Sequence, residues 1–177
     1  MKKLVFVVLV GLLIGTAAFA DHPDGIGIGG ICGNEYGSLG YDFYPGLSLK
    51  IGPLPLFWGF YGHFLPGVFA AGVSGDYYLF DKWNLVDKIT TDESGEYHLK
   101  IDWYLGIGFF VNMHFWDDYT AFDAGARVPF GVSWHATETL EVTLGTAPGF
   151  GVYSYPSNLR FHYVVPIEIS CRYWFIK

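Results

Sequence analysis

The chain has 177 residues, of which 51% are hydrophobic, 20% are aromatic and only 15% are charged, with a formal net charge of −7. Soluble proteins average about 25% charged residues, and the acidic balance speaks against a nucleic-acid partner. Beyond the N-terminus, no run of apolar residues approaches the roughly 18 that a membrane-spanning helix needs. The apolar residues must therefore fill one large soluble core or line the outside of a membrane barrel.

The N-terminal segment, residues 1–20, is predicted to be a secretory signal peptide. A positive start at Lys2 and Lys3 precedes an apolar stretch over residues 4–14, and the small residues that follow end in an Ala-x-Ala cleavage site. Cleavage there leaves residues 21–177 as one exported domain. Loss of the two lysines makes that domain more acidic than the full chain.

Apolar and polar residues alternate along the rest of the chain in about eight segments, which turn residues separate. Strict alternation is typical of β-strands, whose successive side chains point to opposite faces of a sheet. No segment with helical periodicity competes, so the sequence predicts an all-β fold. The predicted strands span residues 25–32, 46–51, 56–64, 68–80, 98–115, 121–134, 139–153 and 160–175.

The predicted connections differ in length and polarity. Residues 81–96 form the most polar stretch and are predicted to be a loop, as are residues 34–44. Pro129 and Pro166 weaken the strands that contain them, because proline has no N–H to donate to a ladder. Each marks a position where a bulge can form, and Pro148 is expected to bend the seventh strand.

The two faces of the predicted strands are unlike each other. Over residues 98–115, one face carries large apolar side chains, while the other mixes glycines and aromatics with Lys100 and Asp102. Strands of outer-membrane barrels need about 9–11 residues to cross, with apolar residues outward and polar residues inward. Because every backbone donor must be paired in lipid, the sheet must close. The sequence therefore predicts an eight-stranded antiparallel up-and-down transmembrane β-barrel.

Charged residues on the inner face are expected to fill the barrel as an ion-paired network, because an unpaired buried charge is costly. Glycines on the same face leave room for these long side chains. Aromatic residues near strand ends, among them Trp103, Trp134 and Trp174, are predicted to form girdles at the membrane surfaces. The predicted interior charges are Lys50, Asp76, Lys100, Asp102, Asp123, Arg127, Glu141, Glu168 and Arg172.

The two cysteines, Cys32 and Cys171, fall in the first and last predicted strands. These strands are neighbours if the sheet closes, so the two residues are candidates for a disulfide in an oxidising compartment. The other interpretation, two small apolar wall residues, is the more ordinary one.

No catalytic, cofactor or metal site is predicted. The six histidines show none of the short ligand spacings that identify metal sites. The acidic pair at Asp117 and Asp118 and the polar segment over residues 135–138 are explained as turns. The glycine-rich segment over residues 25–30 has neither a strand before it nor a helix after it, as a nucleotide loop requires. We therefore predict no enzymatic activity.

Four segments, WYLGIGFFVN, GARVPFGVSW, LEVTLGTAPGFGV and PIEISCRYWF, look like parts of the uncharacterised small barrels of spirochaetes. With the predicted signal peptide and eight strands, the chain resembles more broadly the small outer-membrane β-barrels of the OmpA, OmpX and OmpW type. One departure concerns the C-terminal assembly signal, which in such barrels normally ends on an aromatic residue. Here Ile176 and Lys177 follow Phe175.

The resemblance implies a location in the outer membrane, contact with outer-membrane lipid, and insertion by the outer-membrane assembly machinery. It favours a structural or surface-interaction role without catalysis and identifies no ligand. Two alternatives stay open. One is a narrow channel for small or apolar solutes, as OmpW-type barrels suggest. The other is a soluble periplasmic lipocalin-like binder, whose apolar face would point inward.

Overall fold

The described strands form one closed antiparallel sheet in the computed structural model, which describes residues 25–38, 40–65, 68–92, 95–116, 118–155 and 158–175. The predicted signal peptide lies outside these residues. Within them, no helix offers a long apolar stretch that could cross a membrane. The strands are β1 (Gly25–Gly37), β2 (Gly40–Gly52), β3 (Leu56–Leu65), β4 (Val68–Asp92), β5 (Gly95–Phe115), β6 (Thr120–Arg127), β7 (Phe130–His135), β8 (Leu140–Thr146), β9 (Gly149–Tyr155) and β10 (Asn158–Trp174).

These ten strands make a ring of eight, because β6 with β7 and β8 with β9 each occupy one position. β5 pairs with β6 over residues 108–115 and with β7 over residues 100–105. β10 pairs in the same way with β9 and then with β8. β1 pairs with both β2 and β10 and so closes the ring. The predicted eight-stranded antiparallel barrel is confirmed.

Prolines account for the two interruptions. Pro129 lies between β6 and β7, and Pro148 lies between β8 and β9. The chain stays in register there, since the backbone N–H of Val128 donates to the carbonyl of Pro148 at 2.9 Å. Pro166 does not interrupt β10. It lies between the part of β10 that pairs with β9, which ends at Val164, and the part that pairs with β8, which begins at Ile167.

Two segments predicted as loops are strands. Residues 34–37 pair with residues 40–43 and so continue β1 and β2. Residues 81–92 pair with β5 in a long hairpin, in which Asp92 lies opposite Gly95; residues 93–94 lie outside the described residues. The prediction over residues 81–96 is wrong because this hairpin has polar residues at both sets of alternate positions. Without an apolar face it lacks the alternation that identified the other strands.

The two ends of the barrel differ. We call the near end the one that carries Gly25 and Trp174, where residues 53–55 and 136–139 also make short connections. The far end carries the connections that follow β1, β3, β5 and β9. β4 has no β3 partner beyond Tyr77, and β5 has no β7 partner before Lys100, which lies opposite Asp87. Residues 88–92 and 95–99 of the β4–β5 hairpin therefore extend past the barrel at the near end.

The barrel is apolar outside and polar inside. On β5, the outer residues Leu105 and Ile107 are 37% and 46% exposed, whereas the inner residues Asp102 and Tyr104 of the same strand are 0% and 7% exposed. The predicted assignment of the two faces is confirmed. A lipocalin-like binder requires the opposite arrangement, with the apolar face turned inward.

The predicted aromatic girdle contains one error. Trp103 and Trp134 lie on the outer face and are 40% and 44% exposed, but Trp174 is only 2% exposed. Its position in β10 is two residues after Arg172, so both side chains point into the barrel. The Trp174 indole N–H donates to Glu141 Oε2 at 3.1 Å, which gives its polar atom a buried partner.

Gly108 lies on the inner face at a position where a larger residue has no room. A Cβ there would lie 2.1 Å from Asp76 Oδ1, whereas a Cβ at the outward-facing Gly30 would meet nothing within 4 Å. We expect Gly108→Ala to lower the free energy of unfolding by about 1–3 kcal/mol, because Asp76 is displaced from its arginine partner. Urea unfolding in detergent measures this effect. Gly30→Ala is the matched control, and equal stability of the two variants would contradict the explanation.

Candidate functional site in the barrel interior

Arg127 joins two carboxylates from different strands in the middle of the barrel. Its Nε donates to Asp76 Oδ1 at 2.8 Å, and its Nη2 donates to Asp76 Oδ2 at 2.5 Å. Its Nη1 donates to Glu168 Oε1 at 3.0 Å, and the Tyr44 hydroxyl donates to that same oxygen at 2.7 Å. Bidentate, charge-assisted hydrogen bonds of this kind are strong and directional. This cluster connects β2, β4, β6 and β10 across the interior.

Arg172 forms a second cluster with Glu141. The arginine Nε and Nη2 donate to the two carboxylate oxygens, each at 3.1 Å. The Ser133 hydroxyl donates to Glu141 Oε1 at 2.7 Å, and Trp174 supplies a further donor from β10. The carboxylate is therefore bound on both oxygens although the side chain is buried.

Aromatic rings stack beside this second cluster. The rings of Phe57 and Tyr78 lie 4.4 Å apart, and those of Tyr78 and Tyr104 lie 4.6 Å apart. The Arg172 guanidinium lies 4.3 Å from the centre of the Phe57 ring, a cation–π contact that adds attraction where water is excluded. These rings therefore pack against the Arg172 cluster in the near half of the interior.

Histidines pair with two further aspartates, Asp42 and Asp123, on the far side of the Arg127 cluster. His162 Nε2 lies 2.5 Å from Asp123 Oδ1, and the Asn112 amide donates to Asp123 Oδ2 at 3.2 Å. His63 Nδ1 is in direct contact with Asp42 Oδ2. Both histidines are buried inside the barrel.

The other predicted charges lie toward the near end. Lys50 Nζ donates to the carbonyl of Gly52 at 2.6 Å and lies 5.6 Å from the centre of the Trp174 ring. Asp102 is fully buried, and Lys100 Nζ and His135 Nε2 approach its Oδ2 at 3.7 and 3.8 Å.

All nine predicted residues face the interior, and all but Lys100 and Glu168 are buried. They lie in separate clusters rather than in one network. Sequence reasoning missed their uncharged and imidazole partners, Tyr44, Ser133 and His162. It also missed the pair that His63 forms with Asp42. These residues also occupy inner positions of their strands. The alternation of inner and outer positions along each strand was therefore the signal that could have identified them.

The two cysteines are free. They lie on neighbouring strands, as expected for a closed sheet, but Cys171 is opposite Gly30 while Cys32 is opposite Ile169. Such diagonal neighbours are about 7–8 Å apart between Cα atoms, beyond the usual reach of a disulfide.

A small cavity lies beside Arg127 and is lined among others by Glu35, Tyr61, His63 and Asn112. Its volume of about 20 Å³ has room for a single water molecule. This cavity therefore offers space for one small ion or one water molecule.

No protein-family model matches this chain, and no curated protein matches it. Solved structures do match it, among them the following two. The crystal structure of Neisserial surface protein A (NspA) is 15% identical over 85% of this chain and 96% of its own, with a TM-score of 0.48. The crystal structure of Ail, the attachment invasion locus protein of Yersinia pestis, is 13% identical over 85% of this chain and 97% of its own, with a TM-score of 0.38. The similarity of this chain to both structures is one of fold alone.

Proposed function

We propose that this protein is a small outer-membrane β-barrel with a structural or surface-interaction role, a closed interior and no catalytic activity. The observation that carries the proposal is the inverted distribution of its residues, with charges buried inside the ring and large apolar side chains exposed around it. Lipid is the solvent that suits this distribution, because the ring pairs its backbone donors and the outer face meets hydrocarbon. Outer-membrane lipid is then its immediate partner, and the outer-membrane assembly machinery inserts it.

The far end supplies the surface for interaction. The Tyr36 and Tyr41 rings are 52% and 57% exposed, and their centroids lie 5.0 Å apart. The Trp116 and Tyr119 rings stack at 4.6 Å on another connection of the same end. Aromatic side chains are enriched in protein–protein interfaces, so this end is the part of the molecule that we expect to meet partners.

Heat-modifiability tests the membrane barrel. The chain from Asp21, which keeps every described strand, is refolded in detergent and run on a cold gel with and without boiling. We expect the unboiled protein to migrate differently from the boiled protein, because a closed barrel resists the gel detergent. An unchanged mobility together with a soluble monomer in plain buffer would overturn the proposal.

Conductance tests the closed interior. Because the Arg127 and Arg172 clusters occupy successive levels of the barrel, we expect the refolded protein to produce no stable conductance level in a planar bilayer. Arg172→Ala is expected to remain non-conducting, since the aromatic stack and the Arg127 cluster stay in place. The control is a bilayer that receives detergent alone. A large, steady conductance of the wild type would favour the channel alternative.

A further inference from the structure

The junction between β2 and β3 is incomplete in the far half of the barrel wall. β2 pairs with β3 only over residues 46–50, although β2 begins at Gly40 and β3 continues to Leu65. The junctions on either side, β1 with β2 and β3 with β4, stay paired up to the turns that end them. Among the described residues, residues 40–45 of β2 and 62–65 of β3 therefore lie side by side without a backbone ladder. We call this stretch of wall the β2–β3 gap.

Pro45 lies at the point where the ladder ends. It is the first residue of β2 beyond the last paired position, in which Gly46 is opposite Tyr61. Proline has no backbone N–H, and within sheets it is confined to edge strands, strand starts and bulges. A proline at this point therefore favours a strand edge over a continued ladder between β2 and β3.

Side chains bridge the β2–β3 gap on the inner face. His63 Nδ1 of β3 is in contact with Asp42 Oδ2 of β2, and the rings of Tyr44 and His63 lie 5.0 Å apart. Tyr44 also packs edge-on against Tyr61, with 4.9 Å between ring centroids. Asp42 Oδ1 is buried without a hydrogen bond, so the contact with His63 is the one side-chain bond that the structure describes for this carboxylate.

The cavity beside Arg127 lies directly behind the β2–β3 gap. Tyr44 of β2 and both Tyr61 and His63 of β3 line it. Glu35 of β1, which is opposite Asp42, lines it as well. The side chains that border the gap are therefore also one wall of the cavity.

We propose that the β2–β3 gap is a latched entrance in the barrel wall, through which small polar molecules reach the cavity beside Arg127. The latch is the contact between Asp42 and His63. A stretch of wall that side chains alone hold together opens at a lower cost than one held by ladder hydrogen bonds, because local stability follows the bonds and contacts that must be broken. The entrance leads into the cavity and not through the barrel, since the Arg172 cluster lies between the cavity and the near end.

The test places a single thiol in the cavity. Ala147 lines the cavity and is 0% exposed, so Ala147→Cys is made in a chain whose Cys32 and Cys171 are replaced by alanine. The refolded barrel is treated with methyl methanethiosulfonate, and mass spectrometry follows its modification. Where opening and closing are fast, the rate reports the fraction of molecules that are open. We expect slow modification while the latch is intact.

Asp42→Ala breaks the latch and leaves the cavity-lining His63 in place. We expect modification at position 147 to become about 10–100-fold faster, because a hydrogen bond to a charged group no longer holds the gap shut. Asp123→Ala is the matched control. It removes the aspartate of the other buried pair, formed with His162, from a strand that is paired on both sides. We expect this control to leave the rate unchanged.

A disulfide across the gap identifies the route of entry. Pro45→Cys with Gly62→Cys places two thiols next to the last paired position, and their oxidation holds the two strands together. We expect this locked form of the Asp42→Ala variant to be modified as slowly as the latched barrel. Reduction of the disulfide is expected to restore the fast rate.

Heat-modifiability shows separately that each variant is folded, so failure of this inference leaves the proposed barrel intact. If Asp42→Ala does not refold, Asp42→Asn replaces it, with a smaller increase in rate expected. An unchanged rate in the folded latch variant would overturn the inference. An equal increase in Asp123→Ala would overturn it as well, because the whole interior would then be loosened. Fast modification of the locked form would also overturn it, since the reagent would then enter through the far end.

Discussion

Arg172→Ala is expected to lower the free energy of unfolding by about 3–5 kcal/mol, because it leaves a charged, buried carboxylate without its counter-ion. Glu141 is 5% exposed, and without the arginine its remaining neutral donors are Ser133 and Trp174. Two hydrogen bonds from neutral groups do not replace a bidentate guanidinium. Urea unfolding of the refolded barrel, followed by the folded band on a cold gel, measures the loss.

The double variant Arg172→Met with Glu141→Met is the control. Replacing both members of a buried ion pair by apolar residues of similar volume is often neutral or stabilising. We therefore expect the double variant to recover most of the stability that the single variant loses. If the double variant is as unstable as the single one, the interior depends on shape at this position rather than on paired charge.

Ala126→Arg is expected to lower the free energy of unfolding in lipid vesicles by about 2–4 kcal/mol, the cost of an arginine on the lipid face near the midplane of a membrane barrel. Ala126 is exposed on the outer face, opposite Phe109 of β5 and Phe150 of β9. If this face met water, the same substitution would change stability by no more than about 0.5 kcal/mol. The experiment therefore identifies the solvent of the outer face.

Leu54→Arg supplies the matched comparison. Leu54 is 56% exposed, but it lies in the short connection of residues 53–55 at the near end of the barrel, where we expect water. The same new charge should therefore change stability little. Equal effects of the two substitutions in vesicles would show that the outer face of the barrel is not in lipid.

Period-two alternation was sufficient to predict which side chains face outward, because the pleat of a strand turns successive residues to opposite faces. On β5, Val111 is 38% exposed and its neighbour Asn112 is 6% exposed. The same reasoning failed over residues 81–96, where both faces carry polar side chains. Apolar and polar residues alternate along a strand only where its two faces meet different surroundings. The alternation is lost where both faces meet the same surroundings.

The partners inside the barrel could not be predicted in the same way. Arg127 binds Asp76, 51 positions away, and Glu168, 41 positions away. Which inner carboxylate reaches which arginine depends on strand register, a property of the closed sheet that no short segment contains. The positions of His63 and His114 could not be predicted for the same reason, since only strand pairing places them on either side of Ala70.

The β4–β5 hairpin has a consequence for solubility. Over residues 79–92, β4 pairs with β5 alone among the described strands, so its other side is a strand edge. An edge of this kind is a template for pairing with another chain, and bulges and charged residues are the usual protection. Register irregularities occur at Tyr78/Phe80, Phe80/Trp83 and Asn84/Val86, and the charged Asp87 and Lys88 follow them. The distorted part of β4 therefore protects the molecule against edge-to-edge aggregation whenever the hairpin is in water.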